Sequence, residues 1–308
     1  MKMYIKLISF CLLFFVLVSC SESNLEIENG STNPSSKIEA TGFIEFNGYA
    51  PLADKTIKLF FHVPKGVSKN TPIVFVFHGN GRNAKDYRDA IISKANEFNF
   101  IAIAPEFSII NFPTGDSYNL GNIFVDGDNP SPETLLSEEK WTFSIIEPIF
   151  DFVKKKTANT SEKYNIIGHS AGAQFALRFA MFKPTARCSK IVASASGWYT
   201  VPDFSVNFPY GFKESPLETI NLSNLFFKEI YLQVGELDNN QNEGGLRRNQ
   251  FADAQGNNRY ARAYYFYNNA KNLAKNNTIP FTWKIQTNKG LNHDFKPALE
   301  KAADLLFN

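Results

Sequence analysis

The pentapeptide Gly-His-Ser-Ala-Gly at residues 168–172 places a serine between two glycines. A predicted strand at 164–167 precedes it, and a predicted helix at 171–182 follows at once. A strand–turn–helix of this kind holds its serine on a sharp, strained turn, with the hydroxyl exposed beside the backbone N–H groups of the helix N-terminus. These features predict that Ser170 is a nucleophile for acyl transfer. An ordinary turn with a capping serine is the simpler alternative.

The elements around this turn alternate between strands and helices, which predicts a mostly parallel sheet of about eight strands with helices on both faces. Continuous apolar runs such as 73–77 are typical of strands buried on both faces. The predicted strands are 42–49, 56–63, 73–77, 100–104, 164–167, 190–195, 229–234 and 281–286. The predicted helices are 84–98, 137–156 with a kink at Pro148, 171–182, 260–276 and 295–307. Residues 107–132 are predicted to form a long functional loop, and 201–225 a cap or rim.

Three short stretches carry a resemblance to a known superfamily. They are His-Gly-Asn-Gly-Arg-Asn-Ala at 78–84, Gly-His-Ser-Ala-Gly-Ala-Gln-Phe at 168–175 and Gly-Trp-Tyr at 197–199. With the order of elements, they resemble the α/β-hydrolase superfamily, and within it the poly(3-hydroxybutyrate) depolymerase and esterase-like branch. The resemblance implies the α/β-hydrolase fold and a Ser-His-Asp triad. We predict that no cofactor is used.

The resemblance places the general base after the nucleophile in the chain. Of the four histidines only His293 follows Ser170, and it lies just past the last predicted strand. The acid is expected after the strand at 229–234, where Asp238 matches the family position and Glu236 is the alternative. Such a carboxylate orients the imidazole and stabilises its protonated form. Asp294 is adjacent to His293, but its side chain is expected to diverge from the ring.

An oxyanion hole needs two fixed N–H donors about 3 Å from the developing oxyanion. The resemblance assigns them to the N–H groups of Asn80, after the strand at 73–77, and Ala171, after the nucleophile. His78 is interpreted as a brace for this loop rather than as a catalytic residue.

Four further residues are weaker candidates. Trp198 and Tyr199 follow a strand that should end near Ser170, so they either line the substrate pocket or pack in the core. Arg247 and Arg248 either meet an acidic group of the substrate or form a solvated charge pair. The stretch 126–129, Asp-Gly-Asp-Asn, lacks the remaining ligands of a calcium loop and is interpreted as a solvated turn. We predict no metal site.

The N-terminus predicts export and lipid anchoring. Two lysines precede a short apolar run, which ends in Leu-Val-Ser-Cys at 17–20. This resembles a bacterial lipoprotein box, which makes residues 1–19 a signal peptide and Cys20 the acylated residue; an ordinary signal peptide is the alternative. Residues 20–40 are predicted to be a flexible tether and 41–308 the catalytic domain. The protein is then expected at the bacterial cell envelope, on the periplasmic or the outer face.

Composition excludes some functions and leaves the substrate open. The net charge is +2 and there is no long Lys/Arg run, so nucleic-acid binding has no electrostatic support. The motifs predict a serine hydrolase of carboxylic esters, with short acyl esters, polyesters or esters on polysaccharides as substrates. A peptidase or thioesterase with the same triad is an alternative. A further alternative is an inactive binding protein on the same scaffold, which should lack a triad residue; none is missing.

Overall fold

The computed structural model describes residues 40–308, which form one eight-stranded sheet in the order β1-β2-β4-β3-β5-β6-β7-β8. The pairs β1–β2 and β2–β4 are antiparallel and all other pairs are parallel. The strands are β1 (Ala40–Phe46), β2 (Ile57–Val63), β3 (Ile73–Phe77), β4 (Ile101–Glu106), β5 (Tyr164–His169), β6 (Cys188–Ser194), β7 (Glu229–Gly235) and β8 (Lys284–Asn288). This is the α/β-hydrolase fold that the sequence predicted. The predicted signal peptide, Cys20 and nearly all of the tether lie outside the described residues.

Helices cover both faces of the sheet because the central strands are apolar on both sides. The helices are α1 (Ala84–Phe98), α2 (Ile146–Thr157), α3 (Ala171–Phe182), α4 (Leu222–Phe226), α5 (Gln250–Ala254), α6 (Arg259–Asn276) and α7 (Phe295–Phe307). On one face, Val74 and Val76 of β3 pack with α1 and α7. On the other, Phe75 and Phe77 belong to the larger core, which also contains residues of α2, α3 and α6. This alternation gives β3 its uninterrupted apolar sequence.

The predicted kinked helix at 137–156 is wrong in its first half. The chain forms two short 3-10 turns, Glu138–Lys140 and Thr142–Ile145, and α2 begins only at Ile146. Pro148 therefore lies in the first turn of α2 and does not kink it. Because the first turn of a helix needs no backbone donor, the missing N–H of proline costs nothing there.

Two strand predictions were displaced along the chain. The first strand runs over Ala40–Phe46 rather than 42–49. The last runs over Lys284–Asn288 rather than 281–286, because Phe281 and Trp283 pack against Phe226 before the strand begins. Residues 107–131 contain no helix or strand, as predicted, and 201–225 contain only a 3-10 turn and most of α4.

Candidate active site

Ser170 occupies a strained turn between β5 and α3. Its backbone has φ 56° and ψ −117°, a left-handed conformation that a non-glycine residue adopts only under constraint. Glycine is required on both sides. A Cβ on Gly168 would lie 2.3 Å from the carbonyl oxygen of Gly172, and a Cβ on Gly172 would lie 2.1 Å from that of Phe77. The glycines let helix, strand and turn approach closely enough to present the serine above the sheet.

His293 lies between Ser170 and Asp238. Its Nδ1 is 2.8 Å from Asp238 Oδ2, and its Nε2 is 3.1 Å from Ser170 Oγ. An ionised carboxylate only accepts hydrogen bonds, so Nδ1–H donates to Asp238 and Nε2 is left to accept from the serine hydroxyl. The structure thus brings together all three residues that the sequence assigned to the triad.

Asp238 is a buried carboxylate with two partners. The residue is 5% exposed, and its Oδ1 accepts a hydrogen bond of 3.2 Å from Nη1 of Arg259, which is equally buried. The backbone N–H of Tyr260 also donates to the carbonyl of Asp238. The first turn of α6 is therefore fastened to the loop that carries the acid. Sequence reasoning missed Arg259.

The two competing carboxylates do not reach the imidazole. Glu236 Oε2 accepts from the N–H of Gly290, so it supports the loop before His293 instead of contacting its ring. Asp294 caps α7 by accepting from the N–H of Lys296. Of the three candidate acids, only Asp238 touches His293.

The loop after β3 lies directly against the nucleophile. A Cβ on Gly79 would be 3.5 Å from Cβ of Ser170 and 2.8 Å from the hydroxyl of Tyr87. Asn80, the next residue, is exposed at this opening, and Ala171 begins α3 on the other side of the serine. Within residues 40–308, neither Asn80 N–H nor Ala171 N–H donates to another protein group.

His78 holds this loop in place as a neutral side chain. The N–H of Phe107 donates to its Nε2, so its Nδ1–H donates to the carbonyl of Gly79. Tyr118 donates its hydroxyl to the carbonyl of His78. Burial lowers the pKa of His78 from 6.5 to about 3. These contacts match a bracing role and leave no ring nitrogen for proton transfer.

His169 lies beside the imidazole of His293, with ring centroids 4.7 Å apart. Its Nδ1 is 3.0 Å from the hydroxyl of Tyr87, and its Nε2 has no partner among the described residues. Burial lowers the pKa of His169 well below 6.5, and the nearby His293 and Arg259 lower it further. A neutral ring therefore lies beside the base.

Tyr199 packs in the core rather than at the site opening. It is 2% exposed, its ring stacks on Phe266 at 4.5 Å, and its backbone is hydrogen-bonded in both directions to the side chain of Gln255. This placement favours core packing over substrate contact for Tyr199.

Trp198 is also buried, but it borders a cationic cluster. The guanidinium carbons of Arg178 and Arg247 lie 4.2 and 4.7 Å from its ring centroid. Arg178 is fully buried, and this lowers its pKa to about 9. Arg247 reaches outward and pairs with Asp128 at 2.6 Å.

Arg247 and Arg248 are both partly exposed to solvent, with side chains 29% and 45% exposed. Each has its own acidic partner, Asp128 for Arg247 and Asp253 for Arg248. In the stretch 126–129, Asp126 accepts from the backbone of residues 128 and 129, as in a solvated turn. Over residues 40–308, no group of three or more His, Cys, Asp or Glu residues could hold a metal ion. In that same range, no helix is both long and apolar enough to cross a bilayer.

Comparison with known proteins decides the family. The model of the Esterase family matches residues 51–303. The chain belongs to the Esterase family. The protein is therefore a serine ester hydrolase. No curated protein matches the chain.

Two solved structures share both sequence and fold with this Esterase-family chain. Poly(aspartic acid) hydrolase-1 from Sphingomonas sp. KT-1 is 35% identical, with a TM-score of 0.81; the match covers 87% of this chain and 98% of that one. A poly(3-hydroxybutyrate) depolymerase from Bordetella parapertussis is 29% identical, with a TM-score of 0.79, over 88% and 90% of the two chains. An S-formylglutathione hydrolase from Agrobacterium tumefaciens, 14% identical with a TM-score of 0.53 over 89% and 96%, shares the fold alone.

Proposed function

We propose that the protein hydrolyses carboxylic esters through an acyl-enzyme on Ser170, with His293 as general base and Asp238 as the residue that orients it. The single observation that carries this proposal is the hydrogen-bonded series from Ser170 Oγ through His293 to Asp238, with distances of 3.1 and 2.8 Å. The series lies at the carboxyl ends of the parallel strands, where ligands bind in open α/β sheets.

In the proposed acylation step, Ser170 Oγ attacks the ester carbonyl while its proton passes to Nε2 of His293. The resulting imidazolium is stabilised by the carboxylate of Asp238. The tetrahedral intermediate then breaks its bond to the alcohol oxygen, which takes the proton from His293. In deacylation, His293 accepts a proton from water, the hydroxide attacks the acyl-enzyme, and the acid leaves as Ser170 recovers its proton.

The oxyanion of both tetrahedral intermediates is proposed to bind between the N–H groups of Asn80 and Ala171. Both groups are unused by other hydrogen bonds in the described part of the chain, and the Gly79 contact brings the Asn80 loop against Ser170. Loss of one such donor in related chemistry costs about 10²–10³ in kcat. Trp198 is proposed to form the floor beside the substrate, since Gly197 abuts Gln174, one helical turn beyond Ser170.

For the substrate class we propose oligomers of 3-hydroxy acids. The two solved relatives are named for poly(aspartic acid) and poly(3-hydroxybutyrate). In a 3-hydroxybutyrate unit and in a β-linked aspartate unit alike, the acyl carbon is joined through one CH₂ to the carbon that bears the next linking atom. They differ in that atom, oxygen or nitrogen, and in the substituent, methyl or carboxylate. A pocket that fits the 3-hydroxybutyrate backbone therefore also fits the β-linked aspartate backbone.

The ester is preferred over the amide because the family model that matches the chain is that of esterases. Hydrolysis of amide-linked acidic oligomers is the second candidate, favoured by the 35% identity to the poly(aspartic acid) hydrolase. We further propose that Cys20 is lipidated and anchors the enzyme to the cell envelope, with residues 20–40 as tether and 41–308 as the catalytic domain.

The test compares three substrates: p-nitrophenyl butyrate, a linear 3-hydroxybutyrate oligomer and a β-linked aspartate oligomer of equal length. Products are quantified by mass spectrometry, with Ser170→Ala as the control. The proposal predicts cleavage of both esters by the wild-type enzyme and of none by the variant. Cleavage of the aspartate oligomer alone would replace it with the amide alternative, and failure on all three would refute it.

A further inference from the structure

We propose that Arg259 is a positioning residue, which holds the Asp238 carboxylate in the orientation that His293 requires. This inference rests on the proposed Ser170–His293–Asp238 mechanism. Neither the family relationship nor the sequence pattern assigns a role to Arg259. It is the first residue of α6, and its guanidinium bonds the carboxylate oxygen of Asp238 that His293 does not contact.

The two oxygens of Asp238 have different partners. Oδ2 accepts from His293 Nδ1 at 2.8 Å, and Oδ1 accepts from Arg259 Nη1 at 3.2 Å. Rotation of the carboxylate would break both hydrogen bonds. Because Asp238 and Arg259 are each only 5% exposed, little water is available to replace either bond. The Tyr260 N–H to Asp238 carbonyl bond, 3.1 Å, fixes the two backbones relative to each other. Arg259 therefore sets the orientation of the acid.

The contacts of Arg259 favour this role over general packing. In the described part of the chain, its only side-chain hydrogen bond is the one to Asp238, and its Nε is buried without a partner. Arg262, one turn later, instead bonds three backbone carbonyls and Asp253. Arg262 therefore connects several loops through its hydrogen bonds, whereas the side chain of Arg259 bonds the acid alone among residues 40–308.

The charge of Arg259 also limits how strongly Asp238 stabilises the imidazolium. The groups facing the pair are His293 from the loop before α7, His169 from the end of β5, Tyr199 from the segment after β6 and Arg262 from α6 itself. His169 is neutral because burial lowers its pKa, and burial raises the pKa of Tyr199. Arg259 is thus the cation in direct contact with the acid. Without it, the full carboxylate charge would act on His293.

The experiment measures kcat, KM and the pH profile of kcat/KM for Arg259→Met, Arg259→Lys and Arg88→Met with p-nitrophenyl butyrate. Arg88 is the matched control, because it is also 5% exposed but bonds the carbonyls of Gly42 on β1 and Phe61 on β2 and the carboxylate of Asp89. We expect Arg259→Met to lower kcat about 10- to 100-fold with little change in KM. The acid limb of the kcat/KM profile of Arg259→Met should move to higher pH by about one unit. Arg259→Lys should restore the limb and part of kcat, and Arg88→Met should leave the limb unchanged.

A double-mutant cycle with Asp238→Asn separates this role from a structural one. If Arg259 acts through the acid, Arg259→Met should cost less than about threefold in kcat in the Asp238→Asn background. An equal loss in both backgrounds, or an acid limb that does not move, would overturn the proposal. Arg259→Gln, which keeps a donor without the charge, gives the same test if Arg259→Met does not fold. Wild-type turnover in Asp238→Asn alone would instead refute the proposed triad.

Discussion

Nε2 of His293 lies 3.1 Å from Oγ of Ser170, although 123 residues separate them in the chain. The contact arises because β5 and β8 both end at the carboxyl edge of the sheet, and a short loop follows β8. A close approach between the loop of His293 and β7 fixes it: a Cβ on Gly235 would lie 2.2 Å from the carbonyl oxygen of Leu291. The acid loop and the base loop are therefore packed against each other.

Replacing each of the two carboxylates that follow β7 should show which of them acts as the acid of the triad. Asp238→Asn should lower kcat by about 10⁴-fold, because an amide in place of the carboxylate no longer holds His293 in its reactive tautomer. Glu236→Gln is the matched control, since over residues 40–308 the Glu236 carboxylate accepts a hydrogen bond only from the N–H of Gly290. It should keep kcat within about tenfold of the wild type. Steady-state kinetics on p-nitrophenyl butyrate measure both, and a reversed order would show that the wrong carboxylate has been assigned.

The buried His78 should make the protein less stable in mild acid. Its pKa is about 3 in the folded protein and 6.5 in the unfolded chain, because burial disfavours the charged ring. Between pH 3 and pH 6.5, His78 carries a proton in the unfolded chain but not in the folded protein. The contribution of His78 to the free energy of unfolding is therefore fully present above pH 6.5 and is lost as the pH falls toward 3. From pH 7 to pH 5 the loss should be about 2 kcal/mol for this residue.

His78→Gln should remove that part of the pH dependence. The free energy of unfolding, measured in urea at pH 7 and pH 5, should fall by about 2 kcal/mol less in the variant than in the wild type. The variant should also lose turnover, since its side chain no longer bonds both Phe107 and Gly79 beside the oxyanion site. If the two proteins lose the same stability, His78 is not buried in its neutral form.

The predicted lipid anchor is testable at Cys20. Cys20→Ser should release the protein from the membrane fraction into the soluble fraction and abolish labelling by a radioactive fatty acid. Cys188→Ser is the matched control, because Cys188 lies at the amino end of β6, whereas Ser170 follows the carboxyl end of β5. This variant should change neither result. A mature N-terminus other than an acylated Cys20, found by mass spectrometry, would refute the prediction.

Much of the fold could be predicted because local sequence and tertiary structure agree. The helices Ala84–Phe98, Ala171–Phe182 and Phe295–Phe307 have the predicted limits. The predictions failed where long-range packing decides. Only the 3-10 turns before Ile146 show that Pro148 begins a helix rather than bending one. Likewise, Phe281 and Trp283 have strand-like composition but are used to cover Phe226.

The candidate site was predictable to the extent that chain order constrains it. Ser170 has a local signature and His293 is the only later histidine, but the choice of Asp238 over Glu236 depended on family resemblance. Arg259 carries no signal of its own, since an arginine in the first turn of a helix is ordinary until that turn meets the acid loop. Tyr199 follows its strand as a site residue would, and only its stacking on Phe266 places it in the core.

The central claim is that Ser170 forms the covalent intermediate. The most direct measurement is intact-protein and peptide mass spectrometry after treatment with a fluorophosphonate, with Ser170→Ala as the matched control. We expect one adduct per chain, located on the peptide that contains Ser170, with turnover lost in proportion to labelling. The Ser170→Ala variant should fold normally, take up no label and show kcat reduced by about 10⁴- to 10⁶-fold. An adduct on another residue, or near-normal turnover in that variant, would contradict the account.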